Sequence, residues 1–211
     1  RIFMDLLKTY FSTPTTLLIN QKRKQNDQLS TPGHITKFFV LDDKKNPIGF
    51  IAELSGGFIK EFKQTLGGRS RAFDMILFNE KKEKILRIHR EYTWRLSHLS
   101  IFSSDDQLIG SVTARQKFFK KHAELKDQND SIFAITSSKN LTSRLPAKFS
   151  LQLPHSENPT GLIERKWSSR NDFEITFGNH PWDTKQKAII FSSVIGIYFD
   201  HYQRDLFTKW N

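Results

Sequence analysis

The chain has 211 residues, 37% of them hydrophobic and 26% charged, which is the composition of a folded globular domain and excludes a disordered chain. It contains no cysteine, which excludes disulfides, thiolate metal sites and thiol nucleophiles. The formal net charge of +11 favours a polyanionic partner, such as phospholipid headgroups, nucleic acid or an acidic protein.

The N-terminal part predicts a short helix followed by a strand. Apolar residues recur at helical spacing within residues 1–11, and Pro14 ends that pattern. A strand at residues 17–19 leads into a polar loop at residues 20–33, in which three consecutive residues are basic. Neither this part nor the rest of the chain shows a signal peptide or an apolar run near the ~20 residues of a membrane-spanning helix.

Beyond this loop, one pattern recurs: an apolar strand, a polar turn and a second apolar strand. An isolated hairpin is marginally stable in water, and its edges must be paired or covered. Successive hairpins therefore predict a large antiparallel sheet, most economically a closed barrel. The predicted hairpins cover residues 38–54, 74–91, 98–115, 131–145 and 148–167.

Two details within the hairpins predict features of the local structure. A glycine lies inside the second strand of three hairpins, which predicts a bulge or a close backbone approach at Gly49, Gly110 and Gly161. Alternation along residues 84–90 predicts that Ile85, Arg87 and His89 share one face, and Leu86, Ile88 and Arg90 the other.

The last element differs from the hairpins because it is apolar on every face. Residues 188–199 are nearly all apolar or small, and Asp183 after Pro181 is a candidate N-cap. A helix without a polar face must be buried, and a dozen apolar residues favour a protein core over a membrane span. We therefore predict that this helix fills the barrel.

Four short motifs in the C-terminal region give a family resemblance. Residues 161–167 (GLIERKW) resemble the G-x-I-x-(K/R)-x-W strand of the phospholipid scramblases, and residues 172–177 (DFEITF) are similar to the strand that follows it there. Residues 183–190 (DTKQKAII) resemble the family's entry to its C-terminal apolar helix, and residues 197–200 (IYFD) resemble the end of that helix.

The resemblance implies a tubby-like fold, which the plant LURP-one-related proteins are thought to share. In it, an antiparallel barrel of about twelve strands encloses the C-terminal hydrophobic helix. We expect one domain over residues 1–211, with an N-terminal helix and linker at 1–16, barrel hairpins at 17–180 and the central helix at 181–205.

Two basic segments are the candidates for lipid contact. The first sets two adjacent aromatics among cations that can meet anionic headgroups, although a loop with one buried Phe and solvated lysines is the alternative. It consists of Arg115, Lys117, Phe118, Phe119, Lys120 and Lys121. The second combines glycines, whose backbone N–H groups can face an anion, with Lys60, Lys63, Arg69 and Arg71, and the alternative is a flexible connection.

The resemblance also implies a calcium segment, but this chain keeps few of its acidic residues. Asp172, Glu174 and Asp183 are weak calcium candidates, since calcium binds six to eight oxygens. We therefore predict no metal or other cofactor. The histidines form no metal-ligand spacing, and no nucleophile elbow, P-loop or dinucleotide fingerprint occurs, so we expect no enzyme.

These observations predict a scramblase-like protein that binds an anionic phospholipid or phosphoinositide surface and takes part in lipid movement or membrane-linked signalling. We expect it to be cytoplasmic and peripheral to the membrane. The alternative is a basic nucleic-acid-binding domain or a regulatory protein-interaction domain without catalysis.

Overall fold

The computed structural model describes residues 2–21, 34–54, 72–92, 97–117, 120–138, 148–166 and 172–202. Twelve strands form one closed antiparallel barrel, in which each strand pairs with its neighbours in sequence and β1 pairs with β12. The strands are β1 (Thr16–Gln21), β2 (His34–Leu41), β3 (Pro47–Leu54), β4 (Phe73–Asn79), β5 (Lys84–Arg90), β6 (His98–Ser103), β7 (Leu108–Lys117), β8 (Lys120–Asp127), β9 (Ile132–Ser138), β10 (Lys148–Gln152), β11 (Pro159–Arg165) and β12 (Phe173–Thr176). The helices are α1 (Ile2–Ser12) and α2 (Thr184–His201).

Four hairpin turns share one conformation. In each, the first residue donates its N–H to the carbonyl four residues later, and its carbonyl accepts from the N–H three residues later. The fourth residue has a positive φ, as in a type I turn followed by a left-handed residue. The turns start at Asp42, Asn79, Ser103 and Asp127, and the left-handed residues are Lys45, Lys82, Asp106 and Asp130.

Directly after each of these four turns, and also after the connection 153–158, the strand register shifts by one residue, which is a β-bulge. The residues skipped in the register are Ile48, Ile85, Ile109, Phe133 and Thr160. The bulge corrects the alternation expected for β5, because Ile85 is buried together with Leu86 instead of facing outward with Arg87.

The three strand glycines lie next to these bulges, where neighbouring backbones come close. A Cβ on Gly49 or Gly110 would be 2.3 Å from a carbonyl oxygen of the adjacent strand, and one on Gly161 would be 2.7 Å from such an oxygen. The expectation of bulges and close approaches at these positions is confirmed.

Helix α2 occupies the inside of the barrel, as its apolar sequence predicts. Every residue from Ala188 to Phe199 is buried. Asp183 is the N-cap, because its side chain accepts from the Gln186 N–H while the Gln186 side chain accepts from the Asp183 N–H. The prediction of a helix-filled antiparallel barrel is confirmed.

Helix α1 lies where α2 enters the barrel. Leu7 and Phe11 are buried in the central core, and the Phe11 ring meets that of Phe191 at a centroid distance of 5.6 Å. The ammonium of Lys187 donates to the carbonyls of Ser12 and Pro14, and burial lowers its pKa. These contacts join the start of α2 to the end of α1.

The hairpin predicted at residues 131–145 is built differently. Its first strand is β9, which pairs with β8 across the turn at 127–131 and with β10 on its other side. The expected second strand falls at residues 139–147, which lie outside the described residues. Strand β8 was missed because its polar sequence KKHAELKD shows little of the apolar alternation typical of a strand.

Candidate basic end of the barrel

The two ends of the barrel differ in their connections. At the end where α2 begins, which we call the turn end, adjacent strands are joined by residues 42–46, 80–83, 104–107, 128–131 and 153–158. At the other end, which we call the basic end, strands are joined by residues 22–33, 55–72, 91–97, 118–119, 139–147 and 166–172. The barrel's up-and-down topology alone fixes this division.

The charge of the connecting residues also differs between the two ends. The connections of the turn end contain 8 acidic and 4 basic residues, whereas those of the basic end contain 12 basic and 4 acidic residues. The connection 118–119 is in addition flanked by Lys117, Lys120 and Lys121. Most of the chain's positive charge outside regular structure therefore belongs to segments that leave and re-enter the same end of the barrel.

Both predicted lipid-contact segments connect strands whose joined ends lie at this end of the barrel. Lys117 and Lys120 pair in register where β7 and β8 meet, while Phe118 and Phe119 lie outside the described residues. Lys60, Lys63, Arg69 and Arg71 also lie outside them, between Leu54, which ends β3, and Phe73, which begins β4. Strands β5 and β6 separate the two segments around the barrel.

Arg115 differs from the rest of its predicted cluster because it lies within β7. Its side chain is exposed, and its Nε lies 3.2 Å from Oε2 of Glu124 on β8. An exposed ion pair of this kind contributes little to stability, so the guanidinium remains available to an anion.

The mouth of the barrel at the basic end contains charged groups that sequence reasoning did not select. Arg90 at the end of β5 is buried and lies 3.1 Å from Oδ1 of Asp200 in the last turn of α2. Arg165 is also buried, and its guanidinium carbon lies 4.0 Å from the centroid of the Tyr202 ring. The signal in the sequence was an arginine on the apolar face of a strand, since Arg90 alternates with Leu86 and Ile88.

A cleft opens beside this charged mouth, between the end of α2 and strands β6–β10. The volume that a water molecule can occupy within it is about 20 Å³. The buried hydroxyl of Ser97 has no hydrogen-bond partner among the described residues. The polar residues around the cleft are Ser97, His122, Thr136, Ser193, Asp200 and His201. The cleft can therefore offer hydrogen bonds to a small polar group.

A network of ion pairs lies on β10–β12, also toward the basic end. Lys166 is 2.8 Å from Glu174 and 3.3 Å from Glu164, and Lys148 is 3.2 Å from Glu164. The hydrogen bond to Glu174 raises the pKa of Lys166 above its usual value. Burial acts to raise the pKa of Glu164, but the hydrogen bonds from Lys148 and Lys166 outweigh it and lower this pKa.

The three calcium candidates are not brought together. Asp172 precedes β12 and accepts a hydrogen bond from the Gln21 N–H at 3.1 Å, and Glu174 pairs with Lys166. Asp183 caps α2 at the turn end, beyond the other end of β12. Among the described residues, no group of three or more acidic or histidine side chains is placed to hold a metal ion.

Comparison with known proteins gives one match. The family model described as Scramblase matches residues 6–204 of this chain. No curated protein and no solved structure matches it. Within the part of the chain that the structure describes, no helix is both long and apolar enough to cross a membrane.

Proposed function

Since the chain belongs to the scramblase family, we propose that it binds the surface of anionic phospholipid membranes through the basic end of its barrel. The single observation that carries the proposal is the charge difference between the two ends, with 12 basic residues in the connections at one end and 8 acidic residues in those at the other. An anionic surface attracts the first end and repels the second, so the charge also orients the protein on the membrane.

The composition of the basic connections suits an interface that is partly apolar. Phe118 and Phe119 stand between Lys117 and Lys120, so that aromatic rings and cations are adjacent in one segment. Aromatic rings enter the boundary between headgroups and acyl chains, and each nearby Lys or Arg adds about 1 kcal/mol of attraction to an acidic membrane. Phosphoinositides fit the same groups, because they carry additional phosphates.

The proposal concerns binding and orientation at the surface, not passage of lipid through the protein. In this structure the apolar residues of α2 are buried inside the barrel. The helix contacts strands β6, β7 and β8 and helix α1, so its apolar surface is already buried within the domain. A role in lipid movement or in membrane-linked signalling would therefore act through the surface of the barrel.

The chain offers a charge-matched test. One variant replaces Lys60, Lys63, Arg69 and Arg71 at the basic end with glutamine, and the other replaces Lys44, Lys45, Lys81 and Lys82 at the turn end. Both lose four positive charges. Flotation is measured with neutral phosphatidylcholine vesicles and with vesicles containing about one-fifth phosphatidylserine, at low and high salt.

We expect wild-type protein to float only with anionic vesicles and to be released by salt. The basic-end variant should bind at least about tenfold more weakly, since four charges together account for several kcal/mol. The turn-end variant should bind like the wild type. An equal loss in both variants would refute an oriented basic end, and equal binding to neutral vesicles would refute the proposal itself.

A further inference from the structure

The cleft at the basic end lies beside one level of small side chains in the barrel wall. The carbonyl of Ser97, just before β6, accepts a hydrogen bond from the Ala114 N–H on β7. Ala114 pairs in register with Ala123 on β8, which in turn pairs with Thr136 on β9. Four adjacent segments of the wall therefore place a small residue at the same level, and all four line the cleft. The neighbouring level toward the turn end carries Leu99, Val112, Leu125 and Ala134.

The central helix also presents small residues to this level. Ser193 and Gly196 on α2 line the cleft on its inner side. Gly196 carries no side chain, and a Cβ there would meet only the Leu99 side chain within 4 Å. Protein interiors are normally packed as densely as organic crystals, so small residues on two facing surfaces leave a gap. The cleft is therefore a consequence of the residue types on its two walls.

The size of the gap limits what can enter it. A water-sized group can occupy about 20 Å³ of the cleft. One water molecule needs about 10–15 Å³ on this measure, and drug-sized ligands need far larger pockets. Toward β10 the cleft is bounded by the stacked rings of Phe149 and His201, whose centroids lie 6.2 Å apart. The cleft therefore admits one group of about the size of a water molecule or a hydroxyl.

Ser97 gives the cleft a polar group that needs a partner. The residue is 7% exposed, and its Oγ has no hydrogen-bond partner within the part of the chain that the structure describes. A buried hydroxyl without a hydrogen bond costs free energy, and native proteins satisfy such groups with protein atoms or with bound water. Ser193 on the opposite wall differs, since its Oγ donates to the Ile190 carbonyl at 2.6 Å. The free hydrogen-bonding capacity of Ser97 therefore points to a ligand in the cleft.

The charges around the cleft favour an uncharged ligand. Of the described residues that line it, only Asp200 is a carboxylate, and Asp200 already lies 3.1 Å from Arg90. A charged ligand would lose its hydration without gaining a counter-charge of its own, which is costly in a buried place. The remaining polar groups on the walls are hydroxyls and imidazoles, which can donate or accept. A hydroxyl group fits both the size and the chemistry of the cleft.

We propose that this cleft is a binding site for one uncharged hydroxyl group, which hydrogen-bonds to Oγ of Ser97. Two sources share this chemistry. One is water, and the other, which rests on the proposed membrane function, is the hydroxyl of an anionic lipid headgroup that meets the basic end. The second source makes the protein prefer lipids whose headgroups carry a hydroxyl over lipids of equal charge whose headgroups carry none.

Two lipids of equal charge test the headgroup as the source. Phosphatidylglycerol and phosphatidylethanol each carry a single negative charge, and only the first has free hydroxyls. Flotation with each lipid in phosphatidylcholine vesicles is compared for wild-type protein, Ser97→Ala and the control Ser100→Ala, whose residue lies on the outward face of β6. We expect wild type and the control to prefer phosphatidylglycerol by roughly two- to tenfold, the effect of one net hydrogen bond. Ser97→Ala should bind both lipids equally.

Magnetisation transfer from water to alanine methyl groups tests water as the source in the free wild-type protein. The methyl groups of Ala114 and Ala123 line the cleft, whereas Ala134 is 0% exposed, belongs to the neighbouring level and serves as the control. We expect transfer from long-lived water to at least one of the first two methyl groups and none to Ala134. The measurement needs no variant, so it decides the point even if Ser97→Ala does not fold.

The two measurements together decide the site and its source. A lipid preference that Ser97→Ala abolishes identifies the headgroup, and water transfer confined to the cleft methyl groups identifies water. If neither is observed, the site is overturned. If wild-type protein floats with no anionic vesicle, the membrane function fails, and the water measurement alone then decides whether the cleft binds a hydroxyl group.

Discussion

Nη2 of Arg90 lies 3.1 Å from Oδ1 of Asp200, which ties the end of β5 to the last turn of α2. The Arg90 side chain is 2% exposed and that of Asp200 is 16% exposed, so the pair is formed out of solvent. Removing the carboxylate of such a pair takes a counter-charge away from the guanidinium, which is costly because that cation stays buried. The pair therefore fixes how the central helix ends at the basic end of the barrel.

Asp200→Asn keeps the shape of the side chain and removes its charge. We expect it to lower the free energy of unfolding by about 2–3 kcal/mol, because the buried guanidinium loses its carboxylate partner. Glu124→Gln is the control, since its partner Arg115 is exposed and the loss should stay under about 1 kcal/mol. Urea denaturation of both variants measures the difference, and equal losses would contradict a special role for the buried pair.

Gly110 on β7 lies close both to β8 and to the central helix. A Cβ there would be 2.3 Å from the carbonyl oxygen of Lys126 and 2.4 Å from Cδ1 of Ile189. We expect Gly110→Ala to lower the free energy of unfolding by about 3 kcal/mol or to prevent folding, because backbone cannot move aside easily. Gly196→Ala is the control, as its Cβ meets only the Leu99 side chain at 3.0 Å and alanine favours a helix by about 1 kcal/mol. Similar melting temperatures for the two variants would disprove this prediction.

Lys82 occupies the left-handed position of the β4–β5 turn, with φ of 62°. A side chain is strained in that conformation by about 1 kcal/mol, whereas glycine adopts it freely. We expect Lys82→Gly to raise the free energy of unfolding by about 0.5–1 kcal/mol. Lys81→Gly, one residue earlier and not left-handed, should lower it. Thermal denaturation gives the sign for each variant, and destabilisation by both would show that the turn is not strained.

The ionisation of the Glu164 carboxyl makes the free energy of unfolding depend on pH in the acid range. Its pKa lies below the usual 4.5 because the hydrogen bonds from Lys148 and Lys166 outweigh the effect of burial. A depressed folded-state pKa contributes stability that is present above the unfolded-state value and is lost as pH falls through the folded-state value. We expect Glu164→Gln to reduce the loss of stability below pH 4.5, by on the order of 1 kcal/mol. Glu157→Gln, an exposed carboxylate at the turn end, should leave the pH profile unchanged, and the same profile for both variants would argue against the network.

Calcium is expected not to stabilise the protein at sub-millimolar concentration. Asp172 accepts a backbone hydrogen bond, Glu174 pairs with Lys166, and Asp183 caps α2 at the other end of the barrel. A site assembled from so few carboxylates would have a dissociation constant of about 10⁻⁴–10⁻³ M, and a ligand stabilises only near or above that concentration. Melting is measured with calcium, with magnesium and with chelator. A rise in melting temperature at about ten micromolar calcium that Asp172→Asn abolishes would contradict this.

The sequence determined the fold class because both of the patterns that define this fold are present in it. Repeated apolar hairpins predicted an antiparallel barrel, and a run without a polar face at residues 188–199 predicted a helix buried inside it. The N-cap at Asp183 and the close approaches at Gly49, Gly110 and Gly161 were also readable, since each depends on a residue type at a local position. These features can be predicted because local stereochemistry and the burial of apolar surface depend directly on the order of residue types along the chain.

The tertiary structure decided whatever depends on pairing between distant segments. Strand β8 was hidden by its polar sequence, and the bulge that buries Ile85 follows from register with β4. The ion pair of Arg90 with Asp200 joins residues more than a hundred positions apart. The charge difference between the ends of the barrel exists only once alternate connections are sorted to opposite ends, because charges scattered along a chain form a field only when the fold brings them to one side.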